Sequence, residues 1–201
     1  MNIMIVSSGV GNDQTRAGNR SKQYNAADSY ASVAGKGADR LDNKSREKQF
    51  RSILYELEGN PDIQKMKQYS QHKVSNTFTH SHNVAVYAYY LAERLKWKVD
   101  MRALVMGAML HDYYLYDARK SSIGGYRHGI GHPLTALANA DKIFDLNDRT
   151  KNIITSHMWP LTFLHLPKCK EAVLVNLADK YCAFMEMGRG IVHIEQVMGK
   201  L

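Results

Sequence analysis

The chain has little of what builds small extracellular domains, membrane spans or sheets. Its 201 residues include two cysteines, Cys169 and Cys182. They form no CxxC pair, which excludes a disulfide-rich scaffold and a cysteine zinc knuckle. A reducing, cytoplasmic home is the expectation. No apolar run approaches the roughly 20 residues that cross a bilayer, so no membrane partner is expected. The opening MNIMIV has no basic segment before it and is expected not to act as a leader. Internal repeats and sustained β-branched alternation are both missing, which argues against a solenoid or a sheet and leaves an all-α architecture. Acidic residues are also short, 19 against 27 lysines and arginines. The resulting charge of +8 favours anionic partners, without choosing between a nucleotide and a nucleic acid. The Gly35-Lys36-Gly37 stretch lacks the spacing and the following Ser or Thr of a phosphate loop.

What is present divides the chain unevenly. Residues 7 to about 42 are rich in Ser, Gly, Asn, Ala and charge without a sustained period. The expectation is a flexible or loosely packed basic extension over 1–42, ahead of a helical domain over 43–201. From Lys44 the pattern turns helical, with Phe50, Ile53, Leu54 and Leu57 on one face and Asn43 or Ser45 as a cap. Asn60-Pro61 marks the start of the next helix, carrying Ile63, Met66 and Tyr69.

Five further segments place polar residues on apolar faces or at helix edges. A helix from about Thr79 to Lys96 aligns His80 with Val84, Tyr87, Ala88, Leu91 and Leu95. The next, near Asp100 to Asp112, aligns His111 with Leu104 and Ala108. Pro133 is expected to open a helix to about Phe144, leaving His132 at its edge. Asp148 is expected to cap the helix of Ile153, Ile154 and His157, and a helix from about Lys168 to Glu186 puts Asp179 among Ala172, Val175 and Ala183. A last amphipathic segment carries Ile191, Ile194, Val197 and Met198.

One inward histidine is an ordinary core residue; four histidines and two aspartates are not. Burying that many ionisable groups is costly unless they are hydrogen-bonded or bound to metal. A set mixing imidazole and carboxylate, with no cysteine, favours divalent iron, manganese or zinc over a thiolate structural zinc site without choosing among them; iron or manganese is the expectation, with zinc as an alternative. Six ligands are too many for one open catalytic zinc and enough for two ions, with Asp112 as the natural bridge.

These residues, in this order, resemble the HD-domain phosphohydrolase superfamily, whose signature is an early His, an adjacent His-Asp and a late Asp on an all-helical bundle. The matching segments are THSHNVA with His80, GAMLHDYYLYD with His111-Asp112, and VNLADKY with Asp179, and the resemblance covers roughly Gln71 to Glu186. His82 competes for the first position, but His80 fits the spacing to Val84. The chain further resembles the binuclear subset with two added histidines, His132 in GHPLTALANA and His157 in ITSHMWPLT, with His128 as a competitor for the former. HDYYLYD, HPLTALANA and SHMWPLT look most like an uncharacterised bacterial group with the six-ligand H…HD…H…H…D pattern.

The resemblance implies a metal-dependent phosphohydrolase in which a metal-activated water cleaves a phosphoester or phosphoanhydride of a small phosphorylated substrate, a nucleotide or dinucleotide. Tyr113-Tyr114 after His-Asp departs from the cyclic-dinucleotide group, and a single HD motif argues against an alarmone enzyme. The other reading is a non-catalytic nucleotide- or nucleic-acid-binding protein on the same scaffold, carried by the basic extension. Apolar helix faces would serve a homo-oligomer or pack a monomer.

Around the ligands, Asp117 to Gly131 supplies Arg119, Lys120, Arg127 and His128 to phosphate oxygens or to solvent. Lys180 is a further phosphate-contact candidate, and Asp117 a proton carrier or the polar end of a helix. Gln71, His72 and Ser75 are placed to bond a histidine nitrogen. Tyr113, Tyr114, Tyr126 and Trp159 either stack on a base or pack.

Overall fold

The computed structural model describes residues 26–71, 75–117 and 125–189. The chain divides into two units, Met1–Arg40 and Leu41–Leu201. In the first, the backbone over 26–40 is helical. The second is a bundle of helices with, among the described residues, only the isolated antiparallel bridge Ser70–Asn76 in place of a sheet. The segment carrying Ile191 to Met198 lies outside the described residues.

Helix α1 spans Ala26–Glu58, so neither Asn43 nor Ser45 caps it. Ala26, Ala27, Ala31, Ala34 and Ala38 are strong helix formers that need no amphipathic stripe to hold helical backbone, which is why periodicity misses this part. From Phe50 onward the stripe is real: Phe50, Ile53, Leu54 and Leu57 are all buried. Phe50 stacks on Tyr89 at 4.3 Å between ring centroids, tying α1 to α3 (Thr77–Arg94).

Asn60 caps α2 (Pro61–Gln64) by accepting from Asp62 N at 2.8 Å, with Pro61 in the first turn. A 3₁₀ turn over Lys65–Gln68 follows, and Ile63 and Met66 are completely buried. Each such side chain contributes about 1.5–3 kcal/mol by leaving water. Helix α3 is capped by Asn76, and its Val84 and Ala88 are buried; Leu95, expected on the same stripe, is past the last helical residue and half exposed.

Helix α4 (Met101–Leu110) is the centre of the bundle, with every residue except Arg102 buried. It packs against α3 on one side and against α6 (Asp148–Ser156) and α7 (Lys170–Arg189) on the other. The buried carboxylate of Glu171 joins these elements, accepting from Asp100 N at 2.7 Å and from Arg149 at 2.8 Å.

Two helix starts differ from the sequence expectation. Helix α5 spans Gly125–Ala140, so Pro133 is internal and His132 sits within the helix, not at its edge. Pro133 has no N–H to bond the carbonyl four residues back, that of Gly129, which lies beside the cavity described below. In α6 the cap is Asn147, which accepts from Thr150 N; Asp148 takes the first turn, where a negative charge still favours the helix dipole.

Gly107 marks the closest approach of α4 to α6. A Cβ there would lie 2.6 Å from Ile153 Cγ2 and 2.8 Å from its Cβ. Gly107→Ala is therefore expected to destabilise the bundle by about 1–3 kcal/mol despite its higher helix propensity. A thermal midpoint equal to or above that of the parent protein would contradict this packing.

Candidate metal centre

The same local device builds much of the centre. His111 and His157 are the C-caps of α4 and α6. Each ring turns back and donates Nδ1–H to a carbonyl of its own last turn, His111 to Ala108 at 2.7 Å and His157 to Ile154 at 2.8 Å. This satisfies a carbonyl that the helix end leaves orphaned and leaves Nε2 as the free lone pair. His132 does likewise within α5, donating Nδ1–H to the carbonyl of His128 at 2.9 Å.

His80 on α3 is held differently. Its Nδ1 donates to Glu186 Oε2 at 3.2 Å, and its Nε2 lies 3.1 Å from Asp179 Oδ1, both acids on α7. Asp112, next to His111, faces both groups of rings. Its Oδ2 is 3.5 Å from His111 Nε2 and 3.9 Å from His80 Nε2, whereas its Oδ1 is 3.2 Å from His132 Nε2 and 3.7 Å from His157 Nε2.

Two sets of donor atoms thus converge, His80 with His111 and Asp179, and His111 with Asp112 and His157. The surroundings fit a cation. His111 Nε2 is buried without a hydrogen-bond partner, and the Nε2 atoms of His132 and His157 stand 2.7 Å apart although both rings already spend their Nδ1 hydrogens on carbonyls. Lone pairs facing each other at that distance require a positive charge between or beside them.

The electrostatics point the same way. Burial opposes charge on Asp112, but the His111, His132 and His157 rings hold its carboxyl far below the ordinary range. Burial also opposes charge on His80, yet its hydrogen bonds to Asp179 and Glu186 raise it to about 10. His157 is pushed down to about 3 by burial and by the neighbouring His111 and His132.

Beside the cluster is a cavity of about 590 Å³, lined on the polar side by Gln71, Asp112, His128, Asp179 and Lys180, and on the other by Met158, Pro160, Leu161 and Ala183. Lys180 Nζ donates to the carbonyls of His157 at 3.1 Å and Asn176 at 3.3 Å, and burial lowers its pKa. Arg127 is exposed on α5. Arg119, Lys120 and His72 lie outside the described residues, as does the Tyr126 side chain. His128 is in α5, not in a loop; it stacks on His132 with centroids 4.8 Å apart and its Nδ1 meets Tyr116 Oη at 2.8 Å. His82 pairs with Glu58 on α1, away from the cluster.

The supporting partners follow the sequence expectation only in part. Gln71 Nε2 donates to Asp112 Oδ2 at 2.7 Å, a carboxylate in place of the expected histidine, and is itself held by Tyr114 Oη at 2.6 Å. Ser75 bonds Glu186, and so reaches His80 indirectly. Glu186 escapes the sequence reading, although it follows Asp179 by seven residues and therefore shares its helix face. Tyr113 is fully buried and packs edge-on against Phe144. Asn176 escapes it as well; its amide donates to the carbonyls of His157 and Trp159, both at 2.7 Å, fixing the turn after α6.

A helical bundle that closes on a binuclear His/Asp cluster beside an open cavity defines a metal-dependent hydrolase. The chain belongs to the HD-domain family, whose model matches residues 77–183 and so takes in every residue of the cluster. No curated protein and no solved structure matches it significantly.

A metal ion must displace the proton that the two carboxylates keep on His80. That proton is retained up to about pH 10, so metal affinity is expected to rise with pH through the neutral range. Binding at pH 7 should release protons, seen calorimetrically as a heat that depends on the buffer's ionisation enthalpy. Heat independent of the buffer would contradict the arrangement around His80.

Proposed function

We propose that the protein is a phosphohydrolase, cleaving a phosphoester or phosphoanhydride of a small phosphorylated substrate, a nucleotide or dinucleotide. The observation that carries this reading is the Asp112 carboxylate, which presents one oxygen to His80 and His111 and the other to His132 and His157. In the proposal Asp112 bridges, with His80, His111 and Asp179 on one side and His132 and His157 on the other. Two divalent ions bound there, iron or manganese with zinc as an alternative, would supply an acidified water and positive charge toward a phosphoryl group.

The remaining roles belong to the chain. Gln71 fixes the plane of the Asp112 carboxylate by donating to Oδ2. Lys180, anchored by the His157 and Asn176 carbonyls, presents a cation at the cavity wall to phosphate oxygens. Arg119 and Arg127 are assigned to the same anionic group, on the strength of the basic segment that carries them. The apolar wall of Met158, Pro160, Leu161 and Ala183 excludes water around the leaving group. The similarity of HDYYLYD and its companion segments to an uncharacterised bacterial group fits this chemistry and adds no substrate.

Elemental analysis tests the first half of the proposal. Protein purified anaerobically with iron or manganese supplied should carry close to two ions, and Asp112→Ala should lose most of both; a parent protein without transition metal would refute it. A panel of nucleotides and dinucleotides tests the second half. On the substrate so found, Lys180→Ala should lower kcat/KM by about 10- to 100-fold, the worth of one charge-assisted hydrogen bond, whereas unchanged kinetics would remove Lys180 from the phosphate site.

A further inference from the structure

Three of the cluster histidines, His111, His132 and His157, are oriented by backbone carbonyls. His80 alone is oriented by a carboxylate, that of Glu186. Glu186 is 2% exposed, and both of its oxygens are used: Oε2 accepts from His80 Nδ1 at 3.2 Å and from Ser75 Oγ at 2.8 Å, and Oε1 from Asn83 Nδ2 at 3.1 Å. Its contact with the cluster is to His80, and it belongs to neither set of converging donor atoms. It acts on the centre through that imidazole.

We infer that Glu186 is a positioning residue that makes the His80, His111 and Asp179 half of the centre the tighter of two unequal metal positions. The inference rests on the proposed binuclear reading. An imidazole whose Nδ1–H is held by a carboxylate is a stronger donor at Nε2 than one held by a neutral carbonyl, because the charge behind the ring stabilises the positive charge that the ring shares with its metal. The same half also has Asp179 as a second carboxylate within 3.1 Å of His80 Nε2. The opposite half, His132 and His157, has only its share of Asp112 and no carboxylate behind either ring. Loading is therefore sequential, the His80 half filling first, and the protein holds one ion at metal concentrations that leave the second position empty.

Two substitutions separate charge from orientation. Glu186→Gln keeps an oxygen that accepts from His80 Nδ1–H but removes the charge; Glu186→Ala removes both. Asn83→Ala is the control, since it cuts a contact to Glu186 while leaving the carboxylate on His80. The probe is Mn²⁺ or Co²⁺ titrated into metal-free protein in competition with a chelator, read as stoichiometry and affinity, with Co²⁺ absorption reporting the donor set at each step and circular dichroism reporting folding.

The parent protein should bind two ions in two distinguishable steps. Glu186→Gln should weaken the first step by about 10- to 100-fold once the affinity is corrected for the protons released on binding, bringing the two steps together, with the second unchanged. Glu186→Ala should weaken it further, and Asn83→Ala should stay near the parent. Two equal sites in the parent protein, a Glu186→Gln curve matching the parent, or an Asn83→Ala loss as large as that of Glu186→Gln would each overturn the inference while leaving a binuclear centre standing. A parent protein that binds no metal would instead remove the reading on which it rests.

Discussion

Everything in the second unit depends on how a buried carboxylate and its ring of imidazoles are kept neutral overall. Asp112 is 3% exposed and His80, His111 and His157 are 1% or less. Charges so far from water are tolerated only when paired or bound to a cation. The fold meets this demand by directing both nitrogens of each ring, one to a carbonyl or to Glu186 and the other toward Asp112 or Asp179. A displacement that broke one of the Nδ1 bonds would leave a further buried group unpaired, beside His111 Nε2, which already lacks a hydrogen-bond partner, at a cost of about 1–3 kcal/mol for each group and more for a charged one. The centre therefore constrains the bundle as strongly as the bundle positions the centre.

Helix ends do most of that positioning. His111 and His157 stand where α4 and α6 stop, so the carbonyls left unpaired by each helix are the ones that lock each ring. The close approach of α4 and α6 at Gly107 and Ile153 brings those ends together, with ring centroids 4.8 Å apart. Helix α7 completes the arrangement from the side. Its Ala178 and Cys182 fill the core, Asp179 and Glu186 face His80, and Lys180 reaches the cavity. A single helix thus supplies packing, an acid for the cluster and a cation for its mouth, because a 3.6-residue repeat distributes successive side chains around its axis.

How far the sequence reveals this differs by element. The histidines and acids at inward positions are legible because a polar residue on an apolar face contradicts the pattern around it. His80 on the face of Val84 and Asp179 on that of Val175 are examples, and the cluster forms at those positions. The binary pattern is silent about the start of α5, where glycines and Pro133 give no stripe, and the helix begins eight residues before the proline expected to open it. It is also silent about Asn176 and Glu186, and for Gln71 the sequence suggests a histidine where the partner is the Asp112 carboxylate. Polar residues that serve other polar residues look like surface until a partner from another element is known; Asn176 bonds carbonyls in the turn after α6, and Gln71 bonds an acid 41 residues away. Of the two residues missed, Glu186 alone leaves a trace, by sharing a face with Asp179.

The cavity shows why the chemistry is easier to read than the substrate. Its polar floor is built from rings and carboxylates, each tied to backbone or to another side chain, so the residue types there are dictated by the cluster. The opposite wall, Met158, Pro160, Leu161 and Ala183, contributes nothing to that network. Met158 to Leu161 lie in the turn after α6, which Asn176 pins through the His157 and Trp159 carbonyls, not through any of these side chains. Exchange of those side chains would reshape the space left for a leaving group while the Asp112 to histidine distances stay as they are. Hydrolytic chemistry and the shape offered to a substrate thereby fall on separable parts of the same cavity, the first specified by burial and charge and the second by the side chains of the apolar wall.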